Sequence, residues 1–113
     1  MILVIGGYAS GKRQWVSDHL GYGEDAFTSD PSVDLPVLYD LQDHCEEVTA
    51  DELLGRAVII CNEVGCGVVP ATSEERAARE CTGRLCCDLA AQADCVVRVT
   101  CGIGAVIKGA LPC

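Results

Sequence analysis

Aromatic side chains are scarce in this 113-residue chain: one Trp, one Phe and three Tyr. Its core must therefore be built from Val, Ile, Leu, Ala and Cys. Basic residues are also few, 8 Lys and Arg against 17 Asp and Glu, and they form no block. A net charge of −9 without a basic patch leaves no footprint for a phosphodiester backbone, which excludes a nucleic-acid partner. A mononucleotide is not excluded, because it needs only one local nest of donors. No stretch approaches the ~20 apolar residues of a membrane span. The apolar start, Met1 to Ile5, is too short for the core of a secretory signal and has no basic residue before it. The expected compartment is the cytoplasm, with no membrane partner.

Cysteine is plentiful, at 9 residues, but the count is odd and no C-x-x-C occurs. Cys86 and Cys87 are adjacent, which suits neither a zinc knuckle nor an ordinary disulfide frame. Cys61, Cys81, Cys95 and Cys101 fall on apolar positions of periodic segments and read as small reduced core residues. His44 with Cys45 is the best metal-like pair elsewhere, and two residues do not make a site.

Half of the residues are apolar, and the length fits one domain, residues 1–113. Residues 2–5 read as a short buried strand bounded by glycine, and a helix follows from Gly11 to about Leu20, ended by Gly21 and Gly23. Residues 24–36 are acidic and aperiodic and read as a loop. Val37 to Asp40 is a second apolar run. Ala50 to Arg56 reads as a short helix with Thr49 as its N-cap. Ala57 to Cys61 is a third strand. From Ser73 to about Ala93 the spacing predicts a long helix, with Thr72 and Glu75 at capping-box distance and an apolar stripe of Ala78, Cys81, Leu85, Leu89 and Ala93. Cys95 to Cys101 is a fourth strand, and Ala105 to Lys108 a fifth at an edge. Strands alternating with helices predict an α/β fold: a mostly parallel sheet of four to five strands with helices on both faces.

Four constellations could carry chemistry. The first is Gly6-Gly7-Tyr8-Ala9-Ser10-Gly11-Lys12-Arg13, a glycine loop between a predicted strand and a predicted helix. Gly6, Gly11 and Lys12 stand at the spacing of G-x-x-x-x-G-K-[ST], in which backbone N–H groups and the lysine meet phosphate oxygens. Arg13 stands where a Ser or Thr hydroxyl would hold magnesium. The second is Asn62-Glu63, just past the carboxyl end of a central strand, where a carboxylate could hold a magnesium shell or polarise a hydroxyl. The third is Asp40, an acid after an apolar run, placed like a Walker-B magnesium ligand or simply like a turn aspartate. The fourth is Arg76, Arg79, Glu80 and Arg84, which by spacing alone is a solvated helix face.

The segment Ile5 to Lys12 resembles the phosphate loop of the bifunctional adenosylcobinamide kinase/adenosylcobinamide-phosphate guanylyltransferase family of cobalamin biosynthesis. Asn62-Glu63-Val64-Gly65-Cys66-Gly67-Val68-Val69-Pro70 is similar to that family's N-E-V-G-x-G-I-V-P signature. Arg76-x-x-Arg79-Glu80-x-x-Gly83-Arg84, Leu89-Ala90-Ala91-x-Ala93-Asp94, Gly102-Ile103-Gly104 and Ile107-Lys108-Gly109 follow in the family's order. The resemblance implies a P-loop NTPase-like fold, binding of GTP or ATP with Mg2+, a corrinoid acceptor (adenosylcobinamide) and a homo-oligomer, with a trimer favoured. Carried over, Gly6 to Arg13 would form the nucleotide site, with Lys12 and Glu63 as catalytic residues and Asp40 and Glu63 at the metal. The chain departs from the family between its first helix and Asn62, where the family carries its guanylylated histidine. His19 falls in the first helix, and His44 has none of the flanking arginines. The expectation is a nucleotide-binding protein without guanylyltransferase activity, a kinase if active. The alternative is a non-catalytic nucleotide-binding or assembly protein.

Overall fold

The computed structural model describes residues 1–7, 10–62 and 72–111. Its frame is a six-stranded sheet in the order β2-β3-β4-β1-β5-β6, comprising β1 (Ile2–Gly6), β2 (Phe27–Thr28), β3 (Val37–Leu38), β4 (Val58–Asn62), β5 (Cys95–Thr100) and β6 (Ile103–Gly109). Every neighbouring pair is parallel except β5 with β6. The helices are α1 (Lys12–Leu20), α2 (Ala50–Leu53) and α3 (Ser73–Gln92).

The central strands read as unbroken apolar runs because both of their faces are covered. Leu3, Leu38, Ile59, Cys61 and Val96 pack on one face against Leu53 of α2 and Leu85 and Leu89 of α3. Their sequence neighbours Val4, Val37, Val58, Ile60 and Val97 point the other way, onto Trp15 and Val16 of α1. This period-two split places helices on both faces, as expected from the sequence.

Three local expectations need correction. The sheet has six strands rather than four or five, because Phe27 and Thr28 inside the acidic loop pair with Val37 and Leu38. A two-residue strand carries no detectable period. The loop is also tied down: Arg56 donates to the carbonyls of Leu35 and Pro31, each at 2.8 Å. The edge strand begins at Ile103, because Cys101 (φ 51°) and Gly102 (φ 76°) form the two-residue turn of a β5–β6 hairpin. Finally, α2 ends at Leu53 rather than Arg56.

Capping follows the sequence. The Thr49 and Thr72 hydroxyls accept from the N–H groups of Glu52 (3.4 Å) and Glu75 (3.1 Å). Gly21, in the left-handed conformation, closes α1 by donating to Ser17 O. The buried stripe of α3 is Thr82, Leu85, Leu89 and Ala93, whereas Ala78 is exposed and Cys81 half-buried. Near its start the helix meets the Cys45 thiol, which approaches Ala78 O at 3.9 Å, rather than a buried apolar residue of the sheet. Of the cysteines read as core, Cys61 and Cys95 are buried and Cys101 is exposed at the hairpin turn.

Candidate functional site

The loop after β1 is shaped by close approach. A Cβ on Gly6 would collide with the carbonyl oxygen of Val99 in β5 and stand 2.6 Å from Ser10 Oγ. Gly11 precedes α1 with φ 87°, a left-handed conformation that costs a side chain ~1–2 kcal/mol, and a Cβ there would meet Gly102 Cα at 3.3 Å. The β5–β6 turn buttresses the loop directly, because the Gly102 N–H donates to Ser10 O at 2.8 Å. Tyr8 and Ala9 lie outside the described residues.

Lys12 opens α1 and is buried, only 7% exposed. Its ammonium donates to Gly7 O at 2.7 Å and approaches Ser10 Oγ at 3.4 Å, so the side chain curls back over the loop rather than out to solvent. The first turn of α1 has no side-chain cap and no acidic residue. A helix start with cationic residues and uncapped backbone donors is a favourable seat for an anion.

A cavity of about 700 Å³ opens in front of this loop, at the carboxyl ends of the parallel strands. Ser10, Gly11, Lys12 and Arg13 form one wall; Tyr39, Asp40 and Asn62 form the other, at the ends of β3 and β4. The structure thus brings together the described part of the glycine loop, Asp40 and the strand end that carries Asn62, although they are far apart in sequence. Asp40 is half-buried, in the left-handed conformation (φ 54°), and its Oδ1 accepts from the Gln42 amide at 3.4 Å. Gln42 Oε1 in turn accepts from the Asn62 N–H at 3.1 Å. Glu63 and the rest of the signature through Pro70 lie outside the described residues.

Sequence reasoning missed Gln42, which links Asp40 to the end of β4, and Tyr39, whose ring carries the Arg13 guanidinium 4.8 Å from its centroid. It also missed Phe27 of β2 and Glu24 in the 3-10 turn just before it, which complete the cavity. Pairing of Phe27 with Val37 is a long-range fact with no local signal. Neither histidine lines the cavity: His19 stacks on Trp15 at 4.8 Å, and His44 pairs with Glu47 at 3.0 Å. The Cys45 thiol is directed to Ala78 O on α3, 3.9 Å away, which separates it from His44 as a ligand pair.

Arg13 at the hydroxyl position takes away one expected magnesium ligand and puts a cation in its place, leaving Asp40 as the one anticipated metal carboxylate among the described residues that line the cavity. Also among the described residues, no helix is long and apolar enough to cross a membrane.

Comparison with known proteins bears out the family resemblance. No curated protein matches. A family model described as cobinamide kinase / cobinamide phosphate guanyltransferase matches residues 14–107, from just after the glycine loop to β6. That span is most of the 113 residues and includes Asp40, Asn62, α3 and the hairpin that holds the loop, so the chain belongs to the cobinamide kinase / cobinamide phosphate guanyltransferase family.

Proposed function

We propose that this chain is a nucleotide-binding protein of cobalamin biosynthesis, with Gly6 to Arg13 acting as a P-loop NTPase-type phosphate loop for GTP or ATP. The observation that carries the reading is the single cavity that joins the uncapped start of α1 and the buried Lys12 to Asp40 and Asn62. In this reading the α1 N-terminus receives the phosphates and the Lys12 ammonium leaves Gly7 O for a β- or γ-phosphate oxygen. Glu63, directly after Asn62, is the acid that would orient an attacking hydroxyl, such as that of a corrinoid acceptor. Guanylyl transfer is not part of the proposal, since both histidines are engaged away from the cavity.

Calorimetric titration with GTP and ATP tests the reading. Lys12→Ala should weaken binding by at least tenfold, because a charge-assisted contact to phosphate contributes about 1.5–3 kcal/mol. Absence of binding by the unmodified chain at millimolar nucleotide refutes the function.

A second reading, a nucleotide binder without phosphoryl transfer, is favoured by Arg13 in the metal position. Nucleotide binding with no phosphorylation of cobinamide over hours would support it; turnover would exclude it. Oligomerisation belongs to the same proposal. The edge strand β6 exposes the apolar side chains of Ile103 (72%) and Ile107 (59%), and a sheet edge is a ready template for pairing with a second chain. Light scattering should give a mass above that of one chain.

A further inference from the structure

We propose that Arg13 takes the place of a magnesium ion, so that the site binds a nucleotide's polyphosphate without a divalent cation, and that Tyr39 holds Arg13 ready at the edge of the cavity. This rests on the nucleotide reading above and adds to it the ionic form of the ligand.

Arg13 is the second residue of α1, beside Lys12, and both line the cavity. A metal-dependent loop presents an oxygen at this position. Here a planar cation is attached to the same backbone, and a second, doubly charged cation beside it would be repelled. A guanidinium has the opposite preference to a hydroxyl: its forked N–H donors match two phosphate oxygens and supply the charge neutralisation that a metal would bring.

The position of the side chain supports this role. Its Cζ lies 4.8 Å from the Tyr39 ring centroid, within cation–π range. The ring is itself supported: the Tyr39 N–H donates to Thr28 O at 2.9 Å, and Phe27 packs against it with centroids 6.5 Å apart. Glu24 and Asp40 also line the cavity, yet among the described residues no ion pair joins either of them to Arg13. Arg13 is exposed, so a move from the ring to a phosphate requires only side-chain rotation. Tyr39 thus keeps the guanidinium at the cavity edge without neutralising its charge.

The test is equilibrium titration of the full chain with GTP, ATP and inorganic tripolyphosphate, in excess Mg2+ and in EDTA. For the unmodified chain, affinity in EDTA should equal or exceed that in Mg2+. Arg13→Ser should lose about tenfold or more in EDTA, the loss of a charge-assisted pair, and recover part of it in Mg2+. Arg13→Lys, which keeps the charge without the fork, should fall between the two. Since Arg13 is exposed, a thermal melt should show the variants folded. Tenfold tighter binding of the unmodified chain in Mg2+ overturns the proposal while leaving the nucleotide site standing. So does an Arg13→Ser affinity in EDTA equal to that of the unmodified chain. No binding of any probe in either condition refutes the nucleotide reading itself, and this proposal with it.

Discussion

Replacing Gly6 by alanine isolates the packing that shapes the loop. The added methyl would run into the backbone oxygen of Val99 and lie 2.6 Å from Ser10 Oγ and 3.3 Å from Lys12 Cδ. The serine and lysine can rotate. The Val99 carbonyl cannot easily give way, because Val99 is fully buried and its strand is paired to both β1 and β6. The strands must therefore part locally, which in well-packed interiors costs about 1–3 kcal/mol. For a chain of this length that is a fall in melting temperature of roughly 4–12 °C. Gly7→Ala is the internal control: no described atom lies within 4 Å of its Cβ position, and its φ is not positive. That variant should stay within about 0.5 kcal/mol of the parent. Urea unfolding of both variants, with unchanged m-values, gives the comparison. A Gly6→Ala chain as stable as Gly7→Ala would refute the claim that the loop is packed against β5.

Three further expectations concern the frame. Leu89→Ala should cost about 2–5 kcal/mol in urea melts, because Leu89 is fully buried between α3 and the sheet, whereas Ala78→Glu, one periodic position into the exposed half of α3, should change stability by less than about 0.5 kcal/mol. Thr72→Ala should cost about 1 kcal/mol through the lost cap, read by the same melts. Two thiols predict an alkaline loss of stability. The hydrogen bond shared with Cys86, whose sulfur is 3.4 Å away, and burial push the Cys61 thiol up from its ordinary 9.0, and the hydrogen bond shared with Cys45 pushes Cys81 up to about 11. A raised folded value means that the unfolded chain ionises first. Stability is then fully present below pH 9 and falls as pH rises beyond it. Under reducing conditions the urea midpoint should be flat from pH 6 to 8.5 and decline above 9, less steeply in Cys81→Ser; a flat profile to pH 10.5 would contradict the assignment.

Much of the fold was legible in the sequence because its signals are local. The runs at 2–5 and 57–61 are unbroken because both faces of those strands are covered, and that covering is visible in composition alone; 95–101 is apolar except for the exposed Arg98 and Thr100. The threonine caps and the Gly21 stop are likewise set by chemistry within four residues. What escaped was non-local. β2 is two residues long and exists because β3 offers it an edge. The expected stripe of α3 was right at Leu85, Leu89 and Ala93 but wrong at Ala78, which is exposed, since periodicity says which face is apolar and not what packs against each turn of it. At the site, glycine spacing marked the loop and strand ends marked Asp40 and Asn62. Gln42 and Tyr39 carried no signal, because their importance lies in what they touch: an N–H twenty residues away and a guanidinium on another element.

The family match begins at residue 14, one residue after the loop, yet the matched part fixes the loop's shape. Val99 leaves no room for a side chain at Gly6, Gly102 donates to Ser10 O, and Gly102 also closes the space around Gly11. The Gly102-Ile103-Gly104 segment is therefore a support for the loop, and Gly104 lies flat under the Trp15 indole, where a Cβ would strike the ring. The buttress constrains backbone positions 6, 10 and 11, whereas the exposed Arg13 side chain rests on Tyr39 instead. A change of chemistry at position 13 can thus occur without disturbing the nest behind it. On the proposed reading, receiving phosphate and choosing what neutralises it are separable, the first resting on packing by β5 and β6 and the second on one side chain at the cavity wall.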